Sequence, residues 1–385
     1  MNQKSLLLSG LVALLLMQFF SLKAQTQYTT DQPYMEIVSS ENTGKWQLNL
    51  IIPSKDKKTA WIDLNDNGKY DQGEEKVPAY GQLFKPNRSS YKLRIYGKFT
   101  LFYCSLNNLT SVDVSHNESL EQLSCDQNNL TALDISQNPN LKKLYCNTNK
   151  IEGTLDCTHS PQLEELYCFD NKFRDIRLSG LAKLKELWCN RCQLETLDLT
   201  DCKALTQLIC FTNEIKTITL SSAPNLQKVH CHDNRMSREA MEQMMQALPT
   251  HDQISGEAFV IDSEAPSEEN HCTDVAVQAL SAKNWKVYDF KAGANGGYNP
   301  YAGESTQTTE LFAIGSIRCT PLATTWRVQL PTRLVGQIIR IIDLNGTLHM
   351  QQPALGEYTE LDRSGLAIGF YLLCVGDQVI KITNP

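Results

Sequence analysis

Hydrophobic and polar residues recur with a long, regular period between residues 98 and 236. The unit reads Leu-x-x-Leu-x-Cys-x-x-Asn-x-Leu-x-x-Leu, and successive units lie 21 or 22 residues apart. Self-similarity at such a period is typical of a solenoid, in which each unit forms one coil with a short strand. The apolar positions then point inward and the strands pair in parallel. One cysteine marks each of about seven coils: Cys104, Cys125, Cys146, Cys168, Cys189, Cys210 and Cys231.

This unit resembles the bacterial leucine-rich repeat, in the 21-residue form that carries Cys in a Leu position. Surface proteins of the internalin-J-like family contain such a cysteine ladder. The resemblance implies a parallel strand ladder with a concave binding face. The repeated Asn follows each strand, where its amide can hydrogen-bond unpaired backbone groups of the turn. These residues are Asn107, Asn128, Asn149, Asn171, Asn213 and Asn234, with Cys192 in the fifth position.

The outward strand positions predict a binding surface. Residues on either side of each ladder cysteine point onto the concave face, which solenoids use for partners. One column there is rich in aromatic residues, and exposed aromatic area of this size is typical of a binding site. The alternative is that the rings stack along the ladder and only stabilise one another. The predicted ligand-binding residues are Tyr103, Tyr145, Tyr167, Phe169, Trp188, Ile209, Phe211 and His230.

Ten of the thirteen cysteines fall on repeat positions, which favours a packing role over metal or redox chemistry. Neighbouring rungs have parallel side chains, which is poor geometry for a disulfide bond. Cys192 and Cys202 occupy less regular positions, and whether they form a disulfide stays open. His230-Cys231-His232 resembles a metal motif. In a strand, however, both histidines point opposite to Cys231, which leaves at most two ligands in one place.

Residues 25–97 alternate apolar and polar positions and predict a small β-domain that caps the first coil. Within it, a twelve-residue segment matches the calcium loop D-x-[DN]-x-[DN]-G-x5-E at every position. Gly68 permits the sharp turn, and the oxygen ligands suit a hard cation with a structural role. Strands flank the loop, so the EF-hand resemblance covers the loop only. The alternative is an Asn-Gly turn bordered by surface acids. The predicted calcium ligands are Asp63, Asn65, Asn67, Lys69 through its carbonyl, Asp71 and Glu74.

Residues 237–290 predict a C-terminal cap of the solenoid. Ser237 is suited to cap a helix that Pro249 ends. A strand at 259–261, a helix near 273–282 and a strand at 285–288 are predicted to follow. Such a modified pair of coils would close the array, because the ends of a solenoid expose its core. Residues 291–322 are rich in Gly, Ser and Thr and predict a linker.

Residues 323–385 alternate with period two and predict a small, immunoglobulin-like β-sandwich. Asn345-Gly346 is a strong hairpin signal, and a later Gly-Asp pair marks a second hairpin. The IIDLNG and LAIGFYLL segments, with Lys381 near the end, resemble the C-terminal sorting domain of the type IX secretion system of Bacteroidetes. That resemblance implies export by this machinery. The usual Pro-Asn-Pro opening is absent, and the alternative is a plain immunoglobulin-like module.

Residues 1–24 predict a secretory signal peptide. Lys4 precedes an apolar run from Leu6 to Phe20, and Ala24 stands at a suitable cleavage point. The run is shorter than the roughly 20 residues of a spanning helix, and no later stretch is long enough to span. The alternative is an uncleaved N-terminal anchor. We therefore expect secretion across the outer membrane, to the cell surface or the extracellular medium.

The 385 residues exceed one ordinary domain, and 36 basic against 43 acidic residues give a net charge of −7. This charge argues against a nucleic-acid partner, which requires a basic patch. No G-x-S-x-G, H-E-x-x-H or phosphate-loop motif is present, so no enzyme and no catalytic residue are predicted. We predict a mostly β protein with short helices, which serves as a surface adhesin for a protein or glycan. The alternative is a structural or assembly component of the outer envelope.

Overall fold

The computed structural model describes residues 28–40, 48–52, 56, 58–74, 77, 91–221, 223–291, 298–304, 317–322, 324–376 and 378–384. The predicted signal peptide lies outside these residues. The chain divides into two compact units, Met1–Thr306 and Gln307–Pro385, here named the solenoid unit and the C-terminal unit. Among the described residues, no helix has the length and apolar character that crossing a membrane requires.

The solenoid unit begins with four strands: β1 Tyr34–Ser39, β2 Asn49–Ile51, β3 Trp61–Asp63 and β4 Lys92–Tyr96. Every second residue of β1 is buried, as the alternating sequence predicts. β1 pairs antiparallel with β4 and also with Leu109–Asp113 of the first repeat. The N-terminal β-structure is therefore joined to the repeats by main-chain hydrogen bonds.

The repeats form the predicted parallel ladder, which confirms the fold class. Each coil contributes one three-residue strand whose central residue is buried. The ladder strands are β5 Leu101–Tyr103, β7 Gln122–Ser124, β8 Lys143–Tyr145, β10 Glu165–Tyr167, β12 Glu186–Trp188, β14 Gln207–Ile209 and β16 Lys228–His230. Between them lie β6 Leu109–Asp113, β9 Glu152–Asp156, β11 Lys172–Arg177, β13 Thr196–Asp198 and β15 Thr217–Thr219.

The ladder cysteines fill the core and carry no cross-links. All seven have no exposed surface, and all thirteen cysteines are free thiols, including Cys192 and Cys202. Burial raises the pKa of the ladder thiols well above the usual value, as at Cys104 and Cys210. The thiols therefore stay protonated and act as small apolar groups.

The repeated asparagines hold the turns after the strands. The Nδ2 of Asn128 donates to the carbonyls of Cys104 and Cys125 at 3.0 and 2.9 Å, and its Oδ1 accepts from the Leu109 N–H at 3.0 Å. The later ladder asparagines repeat this pattern. Asn270 of the cap continues it, with bonds to the Cys231 carbonyl and the Met236 N–H. Each side chain thereby satisfies buried backbone groups of two rungs.

The cap comprises α1 Arg238–Ala247, β17 Gly256–Ile261, α2 Asp274–Ser281, β18 Trp285–Asp289 and β19 Asn299–Pro300. The Ser237 side chain accepts from the Ala240 N–H, so it caps α1 as predicted. β17 and β18 extend the ladder in parallel to make an eleven-stranded sheet. Antiparallel β2 and β19 close its two edges. β19 lies within residues 291–322, the predicted linker. Because the main chain of β19 pairs with β18, this part of the segment belongs to the sheet.

The C-terminal unit contains two antiparallel sheets, β20-β21-β24 and β23-β22-β25-β26. Its strands are β20 Arg318–Pro321, β21 Thr325–Gln329, β22 Ile338–Asp343, β23 Leu348–Pro353, β24 Tyr358–Asp362, β25 Gly369–Val375 and β26 Gln378–Asn384. Both predicted hairpins form, as β22–β23 and β25–β26. Trp326, Leu361 and Leu373 are buried in the core. β20 lies before residue 323, within the segment 291–322.

Candidate functional site

The concave face of the ladder carries what we name the aromatic ridge, the column one residue before each ladder cysteine. Parallel pairing aligns Tyr145, Tyr167 and Trp188 on successive strands. The ring centroids of Tyr145 and Tyr167 lie 4.9 Å apart, and those of Tyr167 and Trp188 lie 4.6 Å apart. These distances match the strand separation of about 4.8 Å. The full column is Tyr103, Ser124, Tyr145, Tyr167, Trp188, Ile209 and His230.

The tyrosine hydroxyls of the ridge bond to polar side chains on the next rung. Tyr145 donates to Glu165, which also pairs with Lys143 at 2.6 Å. Tyr167 donates to Glu186 at 2.5 Å. Burial first, and then the neighbouring carboxylates, raise the pKa of Tyr145 and Tyr167 well above the usual value. The hydroxyls therefore stay protonated and the rings are held in register.

The first part of the concave face keeps exposed surface, and we name Tyr103, Tyr145, Tyr167, Phe169 and Trp188 the open half. All five side chains are partly exposed. Phe169 lies beside Trp188, with ring centroids 6.3 Å apart. The open half therefore presents partly exposed aromatic rings on the concave face, four of them close together, and exposed aromatic clusters are common at binding surfaces in general.

The last part of the face is covered by the cap, and we name it the closed half: Ile209, Phe211, His230 and His232. His232 lies between Phe211 and Phe290, with centroids 4.8 and 4.3 Å away. Phe259, the partner of His230 on the next strand, packs against it with ring centroids 4.1 Å apart. Ile209 and His230 each keep 8% of their surface exposed. Of the eight predicted ligand-binding residues, these two consequently have little surface to offer a ligand.

The two histidines of the closed half are neutral. Burial lowers the pKa of His230 to about 3 and that of His232 to about 4. Their Nε2 and Nδ1 atoms, respectively, are buried and have no hydrogen-bond partner within the described part of the chain. Both rings lie on the concave side, away from the Cys231 thiol, as strand alternation predicts. As these residues stand, no group of three or more His, Cys, Asp or Glu in the described ranges could hold a metal ion.

The predicted calcium ligands lie in one loop that begins on β3. Asp63 is buried and accepts from the Asn67 and Gly68 N–H groups at 3.2 and 2.8 Å. The amides of Asn65 and Asn67 both donate to Asp71 Oδ2, at 2.8 and 2.7 Å. Gly68 has a φ of 69°, the left-handed region that glycine tolerates. Sequence order thus brings these oxygen-bearing side chains into one turn.

Glu74 closes the loop, and its carboxylate accepts from the Leu64 and Asp71 N–H groups, both at 2.8 Å. Burial, followed by the charges of Asp63 and Asp71, raises the pKa of Glu74 against the opposing effect of these bonds. A hard cation would relieve that repulsion, so the donor set fits calcium chemically. The side chains bond within the loop, and their oxygens would have to turn towards the ion. Lys69 is exposed, and its carbonyl is assigned as a ligand only from the position of this residue in the loop pattern.

The sequence did not predict the residues that cover the closed half. Parallel pairing of β16 with β17 places Phe259 next to His230. Phe290, which covers His232, and Tyr298, which contacts Phe259, lie in segments beyond the repeats. Asn270 also continues the asparagine ladder without any repeat spacing. The sequence pattern at 259–261 predicted a strand there, but it did not indicate which strand would pair with it. A local pattern of this kind does not specify contacts between segments that are distant in sequence.

Known proteins resemble the chain in its repeats. The family model for leucine-rich repeats, in two copies, matches residues 161–202. None of the curated proteins matches the chain. A solved leucine-rich repeat protein of Leptospira interrogans is 18% identical with a TM-score of 0.31, and the match covers 48% of this chain and 64% of that protein. The chain therefore spans less than two thirds of that protein.

Two structures from Listeria monocytogenes are also similar. The functional domain of InlJ, described as including a cysteine ladder, is 18% identical with a TM-score of 0.27, covering 74% of this chain and 80% of that domain. The internalin InlF is 15% identical with a TM-score of 0.22, covering 49% of this chain and 74% of that protein. The leucine-rich repeat architecture of the present chain is established by its own ladder, as described above.

Proposed function

We propose that this chain is an exported, cell-surface binding protein of the adhesin or internalin-like kind. The open half of the concave face takes the protein or glycan ligand. The observation that carries the proposal is a run of partly exposed rings on the concave face, in which Tyr145, Tyr167 and Trp188 pack on one another. Aromatic anchors supply much of the binding energy of interfaces, and their ordering beforehand lowers the entropy cost of binding.

A second candidate is a structural or assembly component of the outer envelope, without a host ligand. The observation that favours it is the bonding between rungs, in which Tyr145 and Tyr167 donate to carboxylates of the next coil. Rings held in this way stabilise the ladder whether or not a ligand is present. The two candidates differ in what happens to binding when rings of the open half are removed.

Export by the type IX secretion machinery remains part of the proposal. It rests on residues 1–24 as a cleaved signal peptide and on residues 323–385 as the sorting domain. The two hairpins of the C-terminal unit, on either side of β24, are compatible with such a domain. Deleting the C-terminal unit in the producing cell should then leave the protein on the inner side of the outer membrane, which fractionation would detect.

Calcium is proposed as a structural ion of the loop. Asp63, Asn65, Asn67, Asp71 and Glu74 would supply side-chain oxygens, and Lys69 its carbonyl. The doubly charged ion would offset two of the three carboxylate charges and fix the loop against β3. Tyr70 already packs on Trp61 from this loop, with centroids 5.9 Å apart. A fixed loop would keep the N-terminal β-structure in place beside the first coil.

The binding proposal is tested on arrays of glycans and matrix proteins with residues 25–385 in millimolar calcium. The Tyr167→Ala/Trp188→Ala double variant is compared with Lys172→Ala/Lys216→Ala, which removes exposed ion pairs elsewhere on the coils. We expect a ligand that the first variant loses and the second retains. Ligands that both variants retain, or an array without any hit, would favour the structural candidate.

A further inference from the structure

The four-stranded sheet of the C-terminal unit has a second, outward face that is also apolar. Its inward residues form the core, and Ile339, Ile341, Leu373 and Val375 are almost fully buried. An antiparallel sheet with one packed face normally carries polar residues on the other. Here most outward positions are apolar instead. We name them the outward apolar face: Ile338, Ile342, Leu348, Phe370, Leu372, Cys374 and Val379.

These residues are neighbours across the strands. Ile342 pairs with both Leu348 and Leu372, and Cys374 pairs with Val379. Directly paired side chains lie about 5 Å apart, so the residues form one continuous patch. Leu348, Phe370 and Val379 are 50%, 52% and 58% exposed. A contiguous apolar surface on a soluble unit marks an interaction site more often than scattered apolar residues do.

The charges on this face have one sign. Arg340 lies between Ile338 and Ile342 on β22, where its Nε donates to Gln351 at 3.2 Å. The Lys381 ammonium lies 3.9 Å from the centroid of the Phe370 ring. Strand alternation places no carboxylate at the outward positions of β22, β23, β25 and β26 among the described residues. The partner of this face should therefore carry the carboxylates.

We infer that the outward apolar face docks an acidic polypeptide surface of another protein, with apolar residues between its carboxylates. A second copy of the chain is a poor occupant, because packing two such faces would bury four cations without counter-charges. An anionic membrane surface usually recruits clusters of four to eight basic residues, and this face has two. The inference is independent of the concave face and of any ligand bound there.

The test uses the full mature chain with labelled Ile and Leu methyl groups. Two nine-residue peptides serve as probes, one alternating Leu with Glu and the other Leu with Lys. We expect the acidic peptide to shift the methyl signals of Ile338, Ile342 and Leu372 and to bind about tenfold more tightly than the basic one. The Arg340→Glu/Lys381→Glu variant should reverse this preference. The control Lys150→Glu/Lys203→Glu, on exposed positions of the solenoid unit, should leave it unchanged.

Three results would overturn the inference. Binding of both peptides with equal affinity, or of neither, would remove the acidic polypeptide as occupant. Phosphatidylglycerol vesicles that shift the same methyl signals, when the acidic peptide does not, would assign the face to a membrane. Self-association in sedimentation equilibrium that Leu372→Glu abolishes would assign it to a second copy. Because Leu372 is partly exposed, this variant should still fold, and its methyl spectrum checks that.

Discussion

The open and closed halves of the concave face occupy the same strand positions but have different environments. Tyr167 and Trp188 stack on one another and keep exposed surface. In the closed half, His232 is stacked between Phe211 and Phe290, and Phe259 of the cap packs against His230 from the next strand. The repeat therefore fixes where a side chain points, whereas later segments decide whether it meets solvent. A residue's column in the repeat is not enough to assign it a function.

The two halves should differ most in what they contribute to stability. Removing the fully buried Phe259 ring, which packs against the closed half, should lower the free energy of unfolding by about 3–5 kcal/mol. Phe169→Ala in the open half removes a partly exposed ring and should cost less than about 1.5 kcal/mol. Urea unfolding of Phe259→Ala and Phe169→Ala measures both values. Equal losses would mean that the halves do not differ as described.

Acid should weaken the closed half selectively. Because burial depresses the pKa of His230 and His232 to about 3 and about 4, the unfolded chain binds protons below about pH 6.5 that the folded chain does not. The free energy of unfolding therefore falls as the pH falls from 6.5 towards 4. At pH 5 the loss should be about 2 kcal/mol for each histidine.

The matched variant for this pH dependence is His230→Phe/His232→Phe, which keeps rings in the stack but cannot titrate. Its thermal unfolding should lose about 4 kcal/mol less than that of the parent chain between pH 8 and pH 5. Hydrogen exchange should place the acid-induced opening in β16, β17 and β18. A pH dependence that the double variant retains in full would show that other groups cause it.

Calcium should stabilise the end of the solenoid unit that adjoins the open half. At 10 mM calcium, with an affinity typical of extracellular modules, the gain is about 1.4–2.7 kcal/mol. Removal with a chelator should reverse this gain, and Glu74→Gln should abolish it. Asp252→Asn, in the loop after α1, is the matched control. If calcium stabilises Glu74→Gln as much as the parent chain, the ion binds elsewhere.

The smallest effect is expected where the asparagine ladder is interrupted between the two halves. The Cys192 thiol lies 3.6 Å from the carbonyls of Cys168 and Asn190, and it lacks the amide's acceptor oxygen. Cys192→Asn should therefore stabilise the chain by about 1 kcal/mol. Cys189→Asn, at a ladder position without exposed surface, should instead destabilise it, because it buries an amide in the apolar core. A melting temperature that Cys192→Asn leaves unchanged would argue against a continuous ladder.

The ladder and both hairpins could be predicted because each follows from local periodicity. The positions of Leu123, Cys125 and Asn128 recur in each coil with few substitutions, such as Cys192 for asparagine. Parallel pairing of such similar coils requires no further information. The left-handed turn residues could not be predicted. Gln127, Thr148 and Arg191 have φ angles of 53°, 55° and 51°, although no glycine marks these positions.

The environment of the candidate site was predicted only in part, for a related reason. The aromatic columns were visible in the sequence, but Phe290 lies far along the chain from Phe211 and His232, which it covers. Residues 291–322 also had the composition of a linker, yet Asn299 and Pro300 pair with β18. Amino-acid composition indicates local flexibility, but it does not specify which strand of a sheet a segment will pair with.

The central claim is that the open half binds and the closed half stabilises. The direct test measures melting temperature and ligand binding together for Tyr167→Ala/Trp188→Ala and Phe211→Ala/His232→Ala. We predict that the first variant loses the ligand and unfolds near the parent temperature, whereas the second unfolds several degrees lower and still binds below its transition. If the first variant binds normally and melts as early as the second, the account is contradicted.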